Sequence, residues 1–213
     1  AVIALTLTVE LAGSFLLQQR AQRQLLSEFS ATLNTAASAY GQDGISPLPD
    51  TAPTLGSAVA LLQIPALGIS QVVIEGNSSR ATQSGPAHIP GTALPGQSGE
   101  AIIVGHRTTF GAPFFHLNRL KPGDSIKVVT LEGPSTYKVV DSQSAISTPP
   151  TNRLMLRTSN PVILGTGTLE VIAELQGKPY VATPKNSSVV PTSSSLPLVL
   201  LLLIAIYALV RVI

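Results

Sequence analysis

The stretch GPAHIPGTALPGQSGEAIIVGHRTTFGAPFFHLNRLKPGDSI, Gly85 to Ile126, decides how this chain is read. Its centre, EAIIVG (Glu100–Gly105), is a short β-branched run closed by glycine, which reads as a strand. His106 follows directly and leads into RTTFGAPF. A histidine where a buried strand emerges into a Gly- and Thr-rich loop is fixed on one side and wet on the other. A general acid or base needs that setting. From spacing alone, a loop histidine bonded to backbone remains the commoner reading. His88 stands in a stiff loop between Pro86 and Pro90. His116 falls in FFHLNRL (Phe114–Leu120), which reads as one short helix ended by Pro122 and Gly123.

Working outward, the same strand signature recurs. Candidates are VALLQI (Val59–Ile64), QVVIE (Gln71–Glu75), SIKVVTL (Ser125–Leu131), TYKVVDSQSAI (Thr136–Ile146), LMLRT (Leu154–Thr158) and TLEVIAEL (Thr168–Leu175). Many short strands separated by Gly, Pro, Asn and Ser predict a sandwich or closed barrel, mostly antiparallel, with minor helix. No internal repeat is present.

Composition narrows the function classes. The 213 residues suit one sizeable domain, 11% are charged and 44% hydrophobic, and the net charge is +2. No basic cluster or aromatic platform offers a footprint for nucleic acid. Cysteine is absent, which removes disulfides, thiolate metal sites and thiol nucleophiles.

The ends read as membrane segments. LPLVLLLLIAIYALVRVI, residues 196–213, is apolar except for Tyr207 and Arg211, close to the ~20 residues a spanning helix needs. Arg211 points to a cytoplasmic C-terminus. Residues 1–17 are expected to form the outer part of a transmembrane helix whose beginning precedes Ala1, with Glu10 at the outer interface. Residues 18–57 are read as an amphipathic helix and a linker, the linker mostly irregular from Asn34 to Ala58. Residues 58–177 hold the β domain, and 178–195 form a Pro/Ser stalk. These segments predict a two-span protein of the cell membrane with its barrel on the extracytoplasmic side.

The Gly85–Ile126 run strongly resembles the sortase family, most closely its class E and class D members. LQIPALGISQVVIEG (Leu62–Gly76) resembles the family's first two strands, and the TVEL segment with its following helix resembles the class E membrane anchor. The resemblance implies a mostly β fold: a sortase-like eight-stranded closed β-barrel with short helices, flanked by transmembrane helices. It also implies a Gram-positive, actinobacterial setting. Family enzymes cleave a C-terminal LPXTG-like sorting signal and pass the acyl group to an amine of the cell wall or a pilus subunit.

Catalysis in that family rests on a His, a Cys and an Arg. The resemblance places His106 at the His position, Ser159 at the Cys position and Thr168 at the Arg position. Around them, His88, Arg107, Thr108, Arg157 and Asn160 are candidate binding residues. Arg157 lies two residues before Ser159, so strand alternation keeps both on one face, as a displaced substitute for the missing arginine would require. No metal and no cofactor is expected.

A cysteine is already a few per cent thiolate at neutral pH and pairs as thiolate with protonated His. A serine needs His106 as general base, steadied by a third group. Asp124 and Asp141 cannot be placed beside His106 from sequence. The expected function is therefore a catalytically inactive sortase-like subunit or scaffold. Its expected partners are the lipid bilayer and an envelope or membrane protein, with a sorting-signal peptide as a candidate ligand. The alternatives are a transpeptidase or hydrolase using Ser159 with His106, and a pilin-polymerising class C type.

Overall fold

The computed structural model describes residues 2–43, 52–141, 152–160 and 166–180. Eight strands close into a barrel: β1 (Ala58–Ile64), β2 (Ile69–Glu75), β3 (Ala87–His88), β4 (Glu100–Val104), β5 (Ser125–Thr130), β6 (Gly133–Val139), β7 (Arg153–Asn160) and β8 (Gly167–Gln176). Around the barrel the order is β1-β2-β3-β4-β7-β8-β6-β5. The expected barrel is present. Its ladders are antiparallel except at two joints, β2 with β3 and β4 with β7, which are parallel.

Alternation along each strand explains the core. On β4, Ala101 and Ile103 face inward; on β7, Leu154, Leu156 and Thr158 do. They meet Leu62, Ile64, Val73, Ile126, Val128 and Tyr137 from the other strands. Each large apolar side chain removed from water contributes about 1.5–3 kcal/mol, so this interior is the main stabilising term. The hairpin of β1 and β2 turns through Pro65–Leu67 and closes at Gly68, whose φ of 64° suits a residue without Cβ.

Three sequence expectations change. The helix expected over Phe114–Leu120 is only a 3-10 turn at Leu117–Arg119. Pro113 follows three residues with left-handed φ, Phe110 to Ala112, and Phe114 and Leu117 are drawn into the barrel as plugs. The linker expected from Asn34 begins later, because helix α1 runs unbroken over Val2–Asp43; the alanine-rich TAASAY continues it readily. The strand expected over Thr136–Ile146 runs instead over Gly133–Val139; Val140 and Asp141 already lie past its end, and residues 142–146 lie outside the described ones. Two elements have no counterpart in the sequence reading. One is the two-residue β3. The other is helix α2 (Ser79–Ser84), begun by Ser78, whose hydroxyl accepts from the Ala81 N–H.

The C-terminal side also returns to the barrel. Tyr180 bridges to Gln97, its N–H donates to Gly96 O at 2.8 Å, and its hydroxyl donates to Pro134 O at 3.0 Å. Among the described residues no helix is long and apolar enough to cross a membrane, and residues 196–213 lie outside them.

One polar pair sits inside this apolar frame. His88 Nδ1 lies 2.6 Å from Glu75 Oε2, with both residues almost fully buried. Nε2 lies 2.9 Å from both the Ala93 carbonyl and the Thr92 hydroxyl, so both ring nitrogens are engaged in the interior. His88→Ala strands that carboxylate and should cost about 3–5 kcal/mol of stability, read by denaturant titration of the full chain. The double variant Glu75→Leu, His88→Leu should recover most of the loss. A double variant as unstable as the single one would show that the pair is not what His88→Ala disturbs.

Candidate active site

The parallel pairing of β4 with β7 builds the site. Glu100 to Val104 run beside Arg153 to Arg157 in unbroken register, and the Gly105 N–H continues the ladder to Arg157 O. The Thr158 hydroxyl adds a bond to Gly105 O at 2.8 Å. His106, just past β4, and Ser159, near the end of β7, thus stand at the same end of the barrel. Glycine is required at 105 for space, since a Cβ there would stand 2.6 Å from the buried Phe114 ring.

Across the other edge of β7, Ser159 pairs directly with Thr168 of β8. The three positions singled out from the sequence therefore share one end of the barrel. Ser159 and Thr168 are exposed and His106 is half-buried. Residues 142–151 and 161–165, which flank β7, lie outside the described residues.

The His106 ring is held by two hydroxyls. Nδ1 is 3.1 Å from Thr109 Oγ1, and Nε2 is 3.2 Å from Thr82 Oγ1 on α2. Phe110 packs against the ring at 5.0 Å, tilted by 53°. Among the described residues no carboxylate bonds to either nitrogen, and no hydrogen bond joins the ring to Ser159. Asp124 is spent on a turn, accepting from the Lys121 N–H at 2.8 Å. A relay in which a carboxylate steadies the histidine while it takes a proton from serine is not assembled among the described residues. Thr82 and Thr109 were not singled out from the sequence. The cap at Ser78 is the one local signal that would have put Thr82 on a helix.

Arg107 turns the other way. It is buried, and Nη1 donates to Ser159 O at 2.9 Å and to Asn160 Oδ1 at 2.8 Å, while Nη2 reaches Asn118 Oδ1 at 3.4 Å. Its Nε is buried without a partner among the described residues. The guanidinium thus ties the end of β7 to the loop after His106 through neutral acceptors. Arg157 lies on the outer face, about a third exposed, and is paired with Glu170 of β8, Nε to Oε1 2.8 Å. Asn160 is held by Arg107, and Thr108 is exposed. The structure does not bring His88 to this place, because its ring is consumed in the interior pair with Glu75. Among the described residues no group of three His, Asp or Glu side chains is disposed to hold a metal ion.

An eight-stranded barrel with a histidine and a hydroxyl at the ends of two parallel neighbours defines a narrow structural class. A family model described as the sortase domain matches residues 62–181, more than half of the chain, and the chain belongs to the sortase family. It is 26% identical over 91 residues to Sortase D of Bacillus subtilis, covering 43% of this chain and 44% of that protein. It is 37% identical over 91 residues to Sortase SrtE1 of Streptomyces coelicolor, covering 39% of this chain and 26% of that one. The chain thus spans less than half the length of these curated relatives. Among solved structures, a Clostridium perfringens Sortase D5 transpeptidase shares the fold, with a TM-score of 0.58, 22% identity, and coverage of 74% of this chain and 99% of that one. Sortase E1 of Streptomyces coelicolor, solved with a tripeptide in its active site, matches with a TM-score of 0.51, 27% identity, and coverage of 66% and 98%.

Burial holds the His106 imidazole below its ordinary value of 6.5, because the cation loses hydration there. Between the ordinary and the lowered value the folded state binds fewer protons than the unfolded chain. Stability should therefore decline as pH falls from 6.5 through that window and level off beneath it. A histidine NMR titration should put the His106 midpoint below 6.5, and His106→Gln should flatten stability against pH in the same window. A midpoint at or above the ordinary value would contradict this.

Proposed function

We propose that this protein is a membrane-anchored, extracytoplasmic member of the sortase family that does not transfer peptides. It holds a segment of an envelope or membrane protein at the His106–Ser159 end of its barrel. One observation carries the reading: Ser159 and Thr168, hydroxyl residues, stand as cross-strand partners at the positions where the resemblance calls for thiol and guanidinium. The chain contains no cysteine to take over. Arg107 is committed to the β7 end and Arg157 to Glu170, so neither is a spare cation for a developing oxyanion. Losing one such donor costs about 2.7–4 kcal/mol, a hundred- to a thousandfold in rate, before the weaker nucleophile is counted. The peptide in the active site of the Streptomyces coelicolor relative supports an extended peptide as ligand. Every strand here already has two neighbours in the closed barrel, so grip on a peptide falls to the loops rather than to an open strand edge. The two apolar end segments read from the sequence support the membrane placement.

One feature favours a second reading, hydrolysis or acyl transfer by Ser159: a His106 kept neutral by burial is in the form a general base needs. Incubation of the full chain with LPXTG-like peptides and an amine acceptor separates the two. No transfer and no hydrolysis are expected. Turnover that disappears in Ser159→Ala would overturn the inactive reading. The pair Ser159→Cys and Thr168→Arg should create measurable transfer, since it returns both groups to facing positions. For the partner, mild detergent extraction should bring down a stoichiometric companion; a clean monomer counts against it.

A further inference from the structure

We propose that helix α1 is part of the site and that Gln18 and Gln22 are positioning residues for His106, acting through the two segments that carry its threonine holders. One stripe of α1 makes the connection. Gln18, Gln22, Leu25 and Phe29 recur at helical spacing and face the barrel. Gln18 and Phe29 are buried, and Leu25 packs against the cluster of Ile74, Ala81 and Ala87.

Polar groups on a docking stripe are costly unless they are satisfied, and both glutamines are. Gln22 Oε1 accepts from the Val72 N–H at 2.7 Å, while Nε2 donates to Val72 O at 3.1 Å and to Ser84 O at 2.8 Å. The first two bonds imitate a strand partner for β2 beyond the short β3. The third grips the last residue of α2, two positions after Thr82. Gln18 Nε2 donates to Gln71 Oε1 at 2.9 Å. Its amide lies so close to Gly111 that a Cβ there would stand 2.5 Å from Gln18 Oε1.

Gly111 is two residues after Thr109. It sits at φ 71° between Phe110 at 50° and Ala112 at 44°. Non-glycine residues keep such angles only where their surroundings impose them. Gln18 supplies part of that surrounding. One face of α1 therefore holds both segments that engage the ring, α2 through Thr82 at Nε2 and the strained loop through Thr109 at Nδ1. Among the described residues no charged side chain bonds to the ring, and burial alone lowers its basicity. A movement of α1 relative to the barrel reaches His106 without touching it.

The test uses the ¹⁵N-labelled full chain and does not depend on whether Ser159 reacts or a peptide binds. Long-range ¹H–¹⁵N spectra report the ring tautomer, and a pH series reports the midpoint. Thr82 Oγ1 donates to Ser79 O at 3.2 Å and accepts from Nε2, so wild type should show chiefly the Nε2–H tautomer of His106 and a low midpoint. Gln22→Ala with Gln18→Ala should give a tautomer mixture and a midpoint moved up toward the ordinary 6.5. Gln18→Glu, which keeps the shape against Gly111 and lets Gln71 donate instead, should keep much of the single tautomer that Gln18→Ala alone loses. Phe29→Ala serves as the control: it should lower stability by docking loss and leave the His106 signals in place. If the glutamine variants lose stability as Phe29→Ala does while tautomer and midpoint stay as in wild type, α1 is a packing element only and the proposal falls. It falls equally if Phe29→Ala moves the ring signals as far as the glutamine variants do.

Discussion

Five consecutive backbone pairs, from Glu100 with Arg153 to Val104 with Arg157, join β4 to β7, and most of what this molecule can do hangs on that parallel joint. Parallel neighbours need a crossover, and here the crossover carries β5 and β6 away to close the other side of the barrel before the chain returns. Parallel direction means that both strands end at the same rim. Residues more than fifty positions apart, His106 and Ser159, thus come to one end of the barrel, and the antiparallel return through β8 adds Thr168 opposite Ser159. A one-residue slip would turn Leu154 and Leu156 outward, so the fully buried core fixes the register of the site as well.

Two buried basic groups show how differently the fold treats charge. His88 is given a carboxylate at 2.6 Å, so the pair is self-contained in the interior. Arg107 is given only carbonyl and amide oxygens, and its Nε has none among the described residues. Arg107 lends positive potential to the rim at the carbonyl of Ser159 while its nitrogens bind β7 to the Asn118 turn. The rim therefore retains a cation, but one built into the wall.

The pattern of β-branched runs makes seven of the eight strands legible, because each has enough inward residues to leave a period-two signature. β3 has two residues and no period to read. The short helix α2 is hidden by the Ser- and Thr-rich composition of SSRATQS, which reads as a turn until the cap at Ser78 is considered. The helix expected over Phe114–Leu120 fails because apolar residues at helical spacing look like a helix face, whereas Phe114 and Leu117 are barrel plugs held by a tight turn. The gathering of His106, Ser159 and Thr168 at one barrel end is legible through strand ends and resemblance. Their surroundings are not: Thr82 reaches His106 from 24 residues away, and Arg107 points back to β7 rather than outward. Such contacts depend on closure of the barrel, which leaves no local trace in sequence.

The return of Tyr180 to Gly96 and Pro134 has a mechanical side. Whatever tension the chain beyond it bears must first break this latch. Only then does load pass to β8, which lies between β7 and β6 and whose peeling would open the rim at Thr168. A pull on the chain past Tyr180 would thus be resisted by these bonds before it reached the Thr168 end of the barrel.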